Sequence, residues 1–142
     1  MRCKLQSPPE LLGPTPSGLR MNFYFLGGEL EGERLKGQLR PGGCDRFLLR
    51  RDGVALIDVR LTLETHDQAL INASHHGIVD LGEHGYEDAM NRKLQRIFRA
   101  SVVARYETAH PSYSWLNRQQ CAGTLEIDRE TSQLSYEMFA LV

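Results

Sequence analysis

Between Ala55 and Thr65 the chain alternates without a break. Ile57, Val59, Leu61 and Leu63 fall on one side, and Asp58, Arg60, Thr62 and Glu64 fall on the other. Successive side chains of a strand point to opposite faces, whereas a helix would scatter these two sets around its circumference. The segment is therefore a strand with one apolar and one polar face, and the rest of the chain has to fit around it.

Shorter runs on either side keep the same rhythm. Asn22 to Leu26 ends at Gly27-Gly28, and Arg34 to Leu39 ends at Pro41-Gly42-Gly43. Arg46 to Arg50 leads to Asp52-Gly53, a dipeptide suited to a tight hairpin turn because Gly accepts positive φ. Ala69 to Ile71 pairs back after the bend at His66-Asp67-Gln68. Between Tyr86 and Phe98 the apolar positions recur at three and four residues, with Glu87 and Asp88 first and Arg92, Lys93 and Arg96 later. That order suits a helix dipole and predicts one helix. Strand spacing resumes at Phe98 and carries Ala100, Val102, Ala104 and Tyr106 on one face. Cys121 to Ile127 and Leu134 to Leu141 complete the set.

Residues 1–20 read as a separate Pro/Gly-rich arm, with Ser7 to Gly18 extended or looped, because Pro8, Pro9, Pro14 and Pro16 remove donors. Residues 21–142 form the folded domain. About eight strands, short connections and one short helix describe an antiparallel β-barrel or sandwich, and a parallel α/β sheet would need a helix between most strands. Closure into a barrel has the advantage of removing exposed edges.

At 142 residues the chain has enough surface to bury one core. Its 17 basic and 18 acidic residues are mixed along the sequence. That balance argues against nucleic acid, which needs a basic face, and against a membrane-surface patch. Cys3, Cys44 and Cys121 are too few and too widely spaced for a disulfide framework or a metal finger. The amino-terminal residues lack the apolar run of a signal peptide. These features predict a cytoplasmic protein with reduced thiols.

Ordered motifs extend the reading. Gly32-Glu33-Arg34-Leu35-Lys36-Gly37, Pro41-Gly42-Gly43-Cys44-Asp45, Arg51-Asp52-Gly53 and Asp58-Val59-Arg60-Leu61 are followed by Phe98-Arg99 and Tyr106-Glu107-Thr108. Pro111-Ser112-Tyr113-Ser114-Trp115-Leu116-Asn117 comes last. In this order they resemble the DUF3237 (UPF0311) family, from about Leu12 to the end. The chain departs from that pattern at Cys44, at Ala100 to Val103 and at Gln119-Gln120-Cys121. The resemblance implies a calycin-like barrel, often a homodimer, and no agreed reaction.

Six residues are candidates for ligand binding. The stripe holding Asp58 and Arg60 has two readings. It is a solvent face, or it lines the lumen, where Arg60 would clamp an anionic or carbonyl oxygen through its planar fork. The Asp-x-Arg and Gly-Gly-x-Asp elements of the resemblance favour the lumen, with Asp45 or Asp58 as partner or base. Tyr106, Trp115 and Asn117 either seal one barrel end or supply the apolar walls and polar tips of a pocket. Trp115 and Asn117 stand one strand period apart, which would turn them to the same side. His75 and His76 are adjacent on a strand and should diverge, so no metal site is expected from them with His84, and no cofactor is expected.

These features point to a small-molecule-binding barrel. Its enzymatic form would be an isomerase, cyclase or lyase acting without cofactor on an organic acid or secondary metabolite. The competing class is a non-catalytic dimeric module whose barrel is filled by its own side chains.

Overall fold

The computed structural model describes residues 1–142. In chain order the elements are β1 (Arg2–Leu5), β2 (Glu10–Thr15), β3 (Gly18–Leu30), β4 (Gly37–Leu39), β5 (Cys44–Leu49), β6 (Val54–Thr65) and β7 (Leu70–Asp80). A short helix α1 (Gly85–Met90), β8 (Ile97–Glu107), a 3₁₀ helix (Pro111–Arg118), β9 (Cys121–Asp128) and β10 (Gln133–Ala140) follow.

All strand pairings are antiparallel, and neighbours in sequence from β5 to β10 are mostly neighbours in space. The long β3 pairs through its first half with β5 and through its second half with β4, which therefore share one position in the ring. The ring closes at β1, where Cys3 pairs with Leu134 of β10 on one side and Gly28 of β3 on the other. The result is a closed antiparallel barrel of eight strands. Closure leaves no free edge within the ring, and β2 lies along β3 beside β1.

The apolar stripe of β6 is the inner wall. Ala55, Val59, Leu61 and Leu63 are buried, with Leu49 and Ile71 paired beside them on β5 and β7 and Phe25 of β3 in the same core. Each of these Val, Leu, Ile and Phe side chains contributes about 1.5–3 kcal/mol relative to exposure. The β5–β6 hairpin turns at Arg51-Asp52-Gly53, where Gly53 has φ +83 and its N–H donates to the Arg50 carbonyl at 3.1 Å. A Cβ at Gly53 would also lie 1.8 Å from the Gly82 carbonyl oxygen, so the position takes glycine for two independent reasons.

Two expectations from the sequence need correction. The first twenty residues, expected as an extended or looped arm, contain two strands: Arg2–Leu5 belongs to the barrel, and Glu10–Thr15 pairs with β3. Their prolines lie in Ser7 to Pro9, in the outer strand β2 and in the turn that follows it, where a missing donor costs little. The helix predicted from Tyr86 to Phe98 ends at Met90. Arg92 turns to φ +57, and Ile97 already pairs with Asp128 as the start of β8. The three-and-four spacing was the sum of a short helix, a turn and a strand.

Candidate polar pocket in the barrel interior

One ladder of paired residues crosses the inner wall: Asp45 on β5, Val59 on β6, His75 on β7, Ala104 on β8 and Cys121 on β9. His75 is fully buried. Its neighbours Ala73, Ala104 and Cys121 are small, which leaves room for the imidazole and for two tyrosine rings set edge-on to it. The Tyr136 ring lies 4.8 Å away at 80°, and the Tyr106 ring 5.7 Å away at 79°. The Tyr106 hydroxyl is 3.2 Å from His75 Nε2. His75 Nδ1 and the Tyr136 hydroxyl have no hydrogen-bond partner, although both are shielded from solvent. An unsatisfied buried polar group costs about 1–3 kcal/mol, so two together within an apolar core call for an explanation.

Burial also sets the protonation states here. It pushes His75 down to about 4, with a smaller effect from neighbouring His76. Burial pushes Asp45 up to about 7, the carboxylate of Asp58 adds to the rise, and the hydrogen bond from the Asp58 backbone N–H at 3.0 Å opposes it. The phenols of Tyr106 and Tyr136 are raised, again chiefly by burial. At neutral pH the imidazole is uncharged and the carboxyl is near its midpoint.

The cavity opens at the end of the barrel that carries Trp115. The guanidinium of Arg34 lies over the indole ring, 3.8 Å from its centroid, within the range of a cation–π contact. Leu30, Leu35, Leu63, Tyr106 and Met138 continue the wall inward, and the same concave region extends over the outer faces of β6 to β10.

Of the six expected site residues, the structure brings Asp45, Tyr106 and Trp115 to the interior or its mouth. It turns Asp58 and Arg60 the other way. Arg60 is 56% exposed at its side chain, pairs with Asp58 at 2.6 Å and lies 3.4 Å from His76, all on the outer wall. The period of two that buries Ile57, Val59 and Leu61 leaves Asp58 and Arg60 no other side. Asn117 does not line the interior cavity and acts as a strut. Its amide oxygen accepts from Thr108 N–H at 2.8 Å, and its amide nitrogen donates to the Thr108 carbonyl at 2.9 Å. Trp115 and Asn117 sit on the 3₁₀ helix, where about three residues complete a turn and positions two apart diverge.

The sequence presents His75 only as a metal-ligand candidate and marks neither Tyr136 nor Arg34 as a site residue. His75 carried a signal: it occupies an inner position in the alternation Ile71, Ala73, His75, Gly77, Val79. Tyr136 follows Leu134 by one strand period, and Arg34 stands in a motif already quoted.

A profile of the family described as "Protein of unknown function (DUF3237)" matches residues 1–141. The chain belongs to the DUF3237 family. A UPF0311 protein of Rhodopseudomonas palustris is 29% identical over 119 residues, 79% of this DUF3237 chain and 74% of that protein. A β-barrel-like protein from Acinetobacter baumannii AYE, solved by crystallography, superposes with a TM-score of 0.81 at 28% identity, covering 99% of this chain and 90% of that one. The crystal structure of an enzyme from Penicillium herquei superposes with a TM-score of 0.68 at 18% identity, covering 99% and 90%, a likeness of fold alone. No helix of this DUF3237 chain is long and apolar enough to cross a membrane.

Proposed function

We propose that the chain binds a small molecule inside the barrel, admitted past Arg34 and Trp115. One observation carries the reading: the His75–Tyr106–Tyr136 cluster holds unsatisfied hydrogen-bonding atoms in an otherwise apolar interior. Apolar walls with a few convergent polar groups are the usual make-up of a small-ligand site. Native mass spectrometry of the freshly purified protein tests it, with Leu63→Trp as a lumen-filling control whose fold is checked by circular dichroism. A bound mass lost in the folded control supports interior binding. An unliganded protein whose melting temperature no member of a metabolite library raises would overturn it.

An enzymatic form of this reading is favoured by Asp45, whose carboxyl is pushed up to about 7 and so is poised to take and return protons. That suits a cofactor-free isomerase, cyclase or lyase acting on a secondary metabolite. The competing reading, a dimeric module, is favoured by the outer wall. Ile78, Val103 and Phe139 are 60%, 49% and 66% exposed on one face of β7, β8 and β10. An exposed apolar face of this kind fits a second copy of the chain across a twofold axis. Light scattering of wild type and Val103→Glu distinguishes the two: a monomer in both leaves the binding barrel as the sole reading.

A further inference from the structure

The charges of this barrel are kept out of its lumen. None of the arginines or lysines is buried, and the buried side chains that carry polar atoms include Thr65, His75, Thr108 and Tyr136. Asp45 is the one acidic side chain on the inner ladder, and burial holds a large share of it protonated at neutral pH. Arg34, Glu31 and Glu33 are exposed on the β3–β4 connection at the mouth. A carboxylate or phosphate drawn into the interior would lose its hydration and meet no arginine or lysine there, and the Met1 ammonium is already taken up by the Tyr136 carbonyl at 2.8 Å.

The lumen instead presents neutral hydrogen-bonding groups. Tyr106 lines the cavity, and its hydroxyl is 3.2 Å from His75 Nε2. With Nε2 accepting, Tyr106 has a lone pair free for a ligand hydroxyl. With Nε2–H donating, Tyr106 offers its own proton to a ligand carbonyl. Either arrangement meets an uncharged oxygen, and neither meets a full negative charge.

Taking the interior as the ligand site, we infer that its occupant is an uncharged, mostly apolar molecule bearing one carbonyl or hydroxyl oxygen, which the Tyr106–His75 pair reads. This replaces the organic acid that an inward Arg60 would have implied. Tyr106 contacts the ligand, and His75 is a positioning residue that acts through it.

Trp115 is the one tryptophan of the chain and stands at the mouth, so its indole N–H gives a single reporter signal in an ¹⁵N-correlated NMR spectrum. Three probes of similar size separate the possibilities: acetylnaphthalene, ethylnaphthalene and naphthoate. The wild type should bind the ketone about fivefold tighter than the hydrocarbon, the worth of one neutral hydrogen bond, and tighter than the carboxylate. Tyr106→Phe should abolish the preference for the ketone while leaving the hydrocarbon's affinity unchanged. His75→Gln, which keeps a donor and an acceptor, should retain part of that preference, and His75→Leu should retain none. The melting temperature of each variant reports whether it is folded. Naphthoate binding the wild type as well as acetylnaphthalene overturns the uncharged ligand and leaves the interior pocket standing. Equal binding of ketone and hydrocarbon overturns the reading of Tyr106. An indole signal that no probe shifts removes the pocket itself and this inference with it.

Discussion

The hydroxyl of Tyr106 on β8 and Nε2 of His75 on β7 are joined at 3.2 Å across two adjacent strands, and this contact is the one hydrogen bond of the imidazole. Tyr106→Phe therefore leaves both ring nitrogens of a fully buried histidine without partners. Urea unfolding should show a loss of about 1–3 kcal/mol with an unchanged m-value. An unaltered midpoint would mean that the imidazole finds another partner.

Asp45 and His75 make opposite contributions to the pH dependence of stability. Asp45 has a folded-state pKa of about 7, above its ordinary value of about 3.9, so between these limits the folded state holds a proton that the unfolded chain releases. Stability from this group falls as pH rises through that window. His75 has a folded-state pKa of about 4, below its ordinary value of about 6.5. Here the unfolded chain holds the extra proton, and stability rises with pH across the window. The two slopes oppose each other between about pH 4 and 6.5, each limited to about 1.4 kcal/mol per pH unit. Asp45→Asn should unmask the rise, and His75→Gln should unmask the fall. Urea midpoints near the two ends of that range check both signs.

Arg60 lies in solvent, paired to Asp58 on the outer wall. An exposed ion pair of this type is worth about 0–1 kcal/mol. Arg60→Ala should leave the melting temperature nearly unchanged and the affinity for an interior ligand untouched, whereas Trp115→Ala should weaken that affinity. Titration calorimetry with any ligand recovered from the protein makes the comparison. A loss of binding in Arg60→Ala would place the site on the outer face.

Asn117 closes the connection between β8 and the 3₁₀ helix through both atoms of its amide. Asn117→Ala should cost about 1–3 kcal/mol by leaving the Thr108 backbone N–H and carbonyl unpaired. Because the same helix carries Trp115, its indole signal should broaden or move before the core unfolds. Asn117→Asp, which keeps the acceptor but not the donor, should fall between.

The fold was legible because its cause is local. The alternation in Ile57, Val59, Leu61 and Leu63 states both the strand and the wall that faces the core. The site was harder to read, since two faces of one strand are equally regular. The motif holding Arg60 drew attention to the polar face, while burial belonged to the apolar one. His75 was obscured for a related reason: within Leu70–Asp80 the inner positions include a histidine and a glycine, which weakens the apolar rhythm. Trp115 and Asn117 were assigned strand spacing because a 3₁₀ helix of this length has no distinctive apolar pattern. The pairing of Arg34 with Trp115 joins residues 81 positions apart, and only the closed barrel brings them together.

The seam at Cys3 bears on how the molecule assembles. It joins the barrel's first strand in chain order to its tenth, so the ring cannot close during synthesis until β10 is available. Until then β9 and β1 have vacant flanks able to recruit a neighbour's backbone. Crowded expression should favour swapped or aggregated species, and slower synthesis should yield more of the closed form.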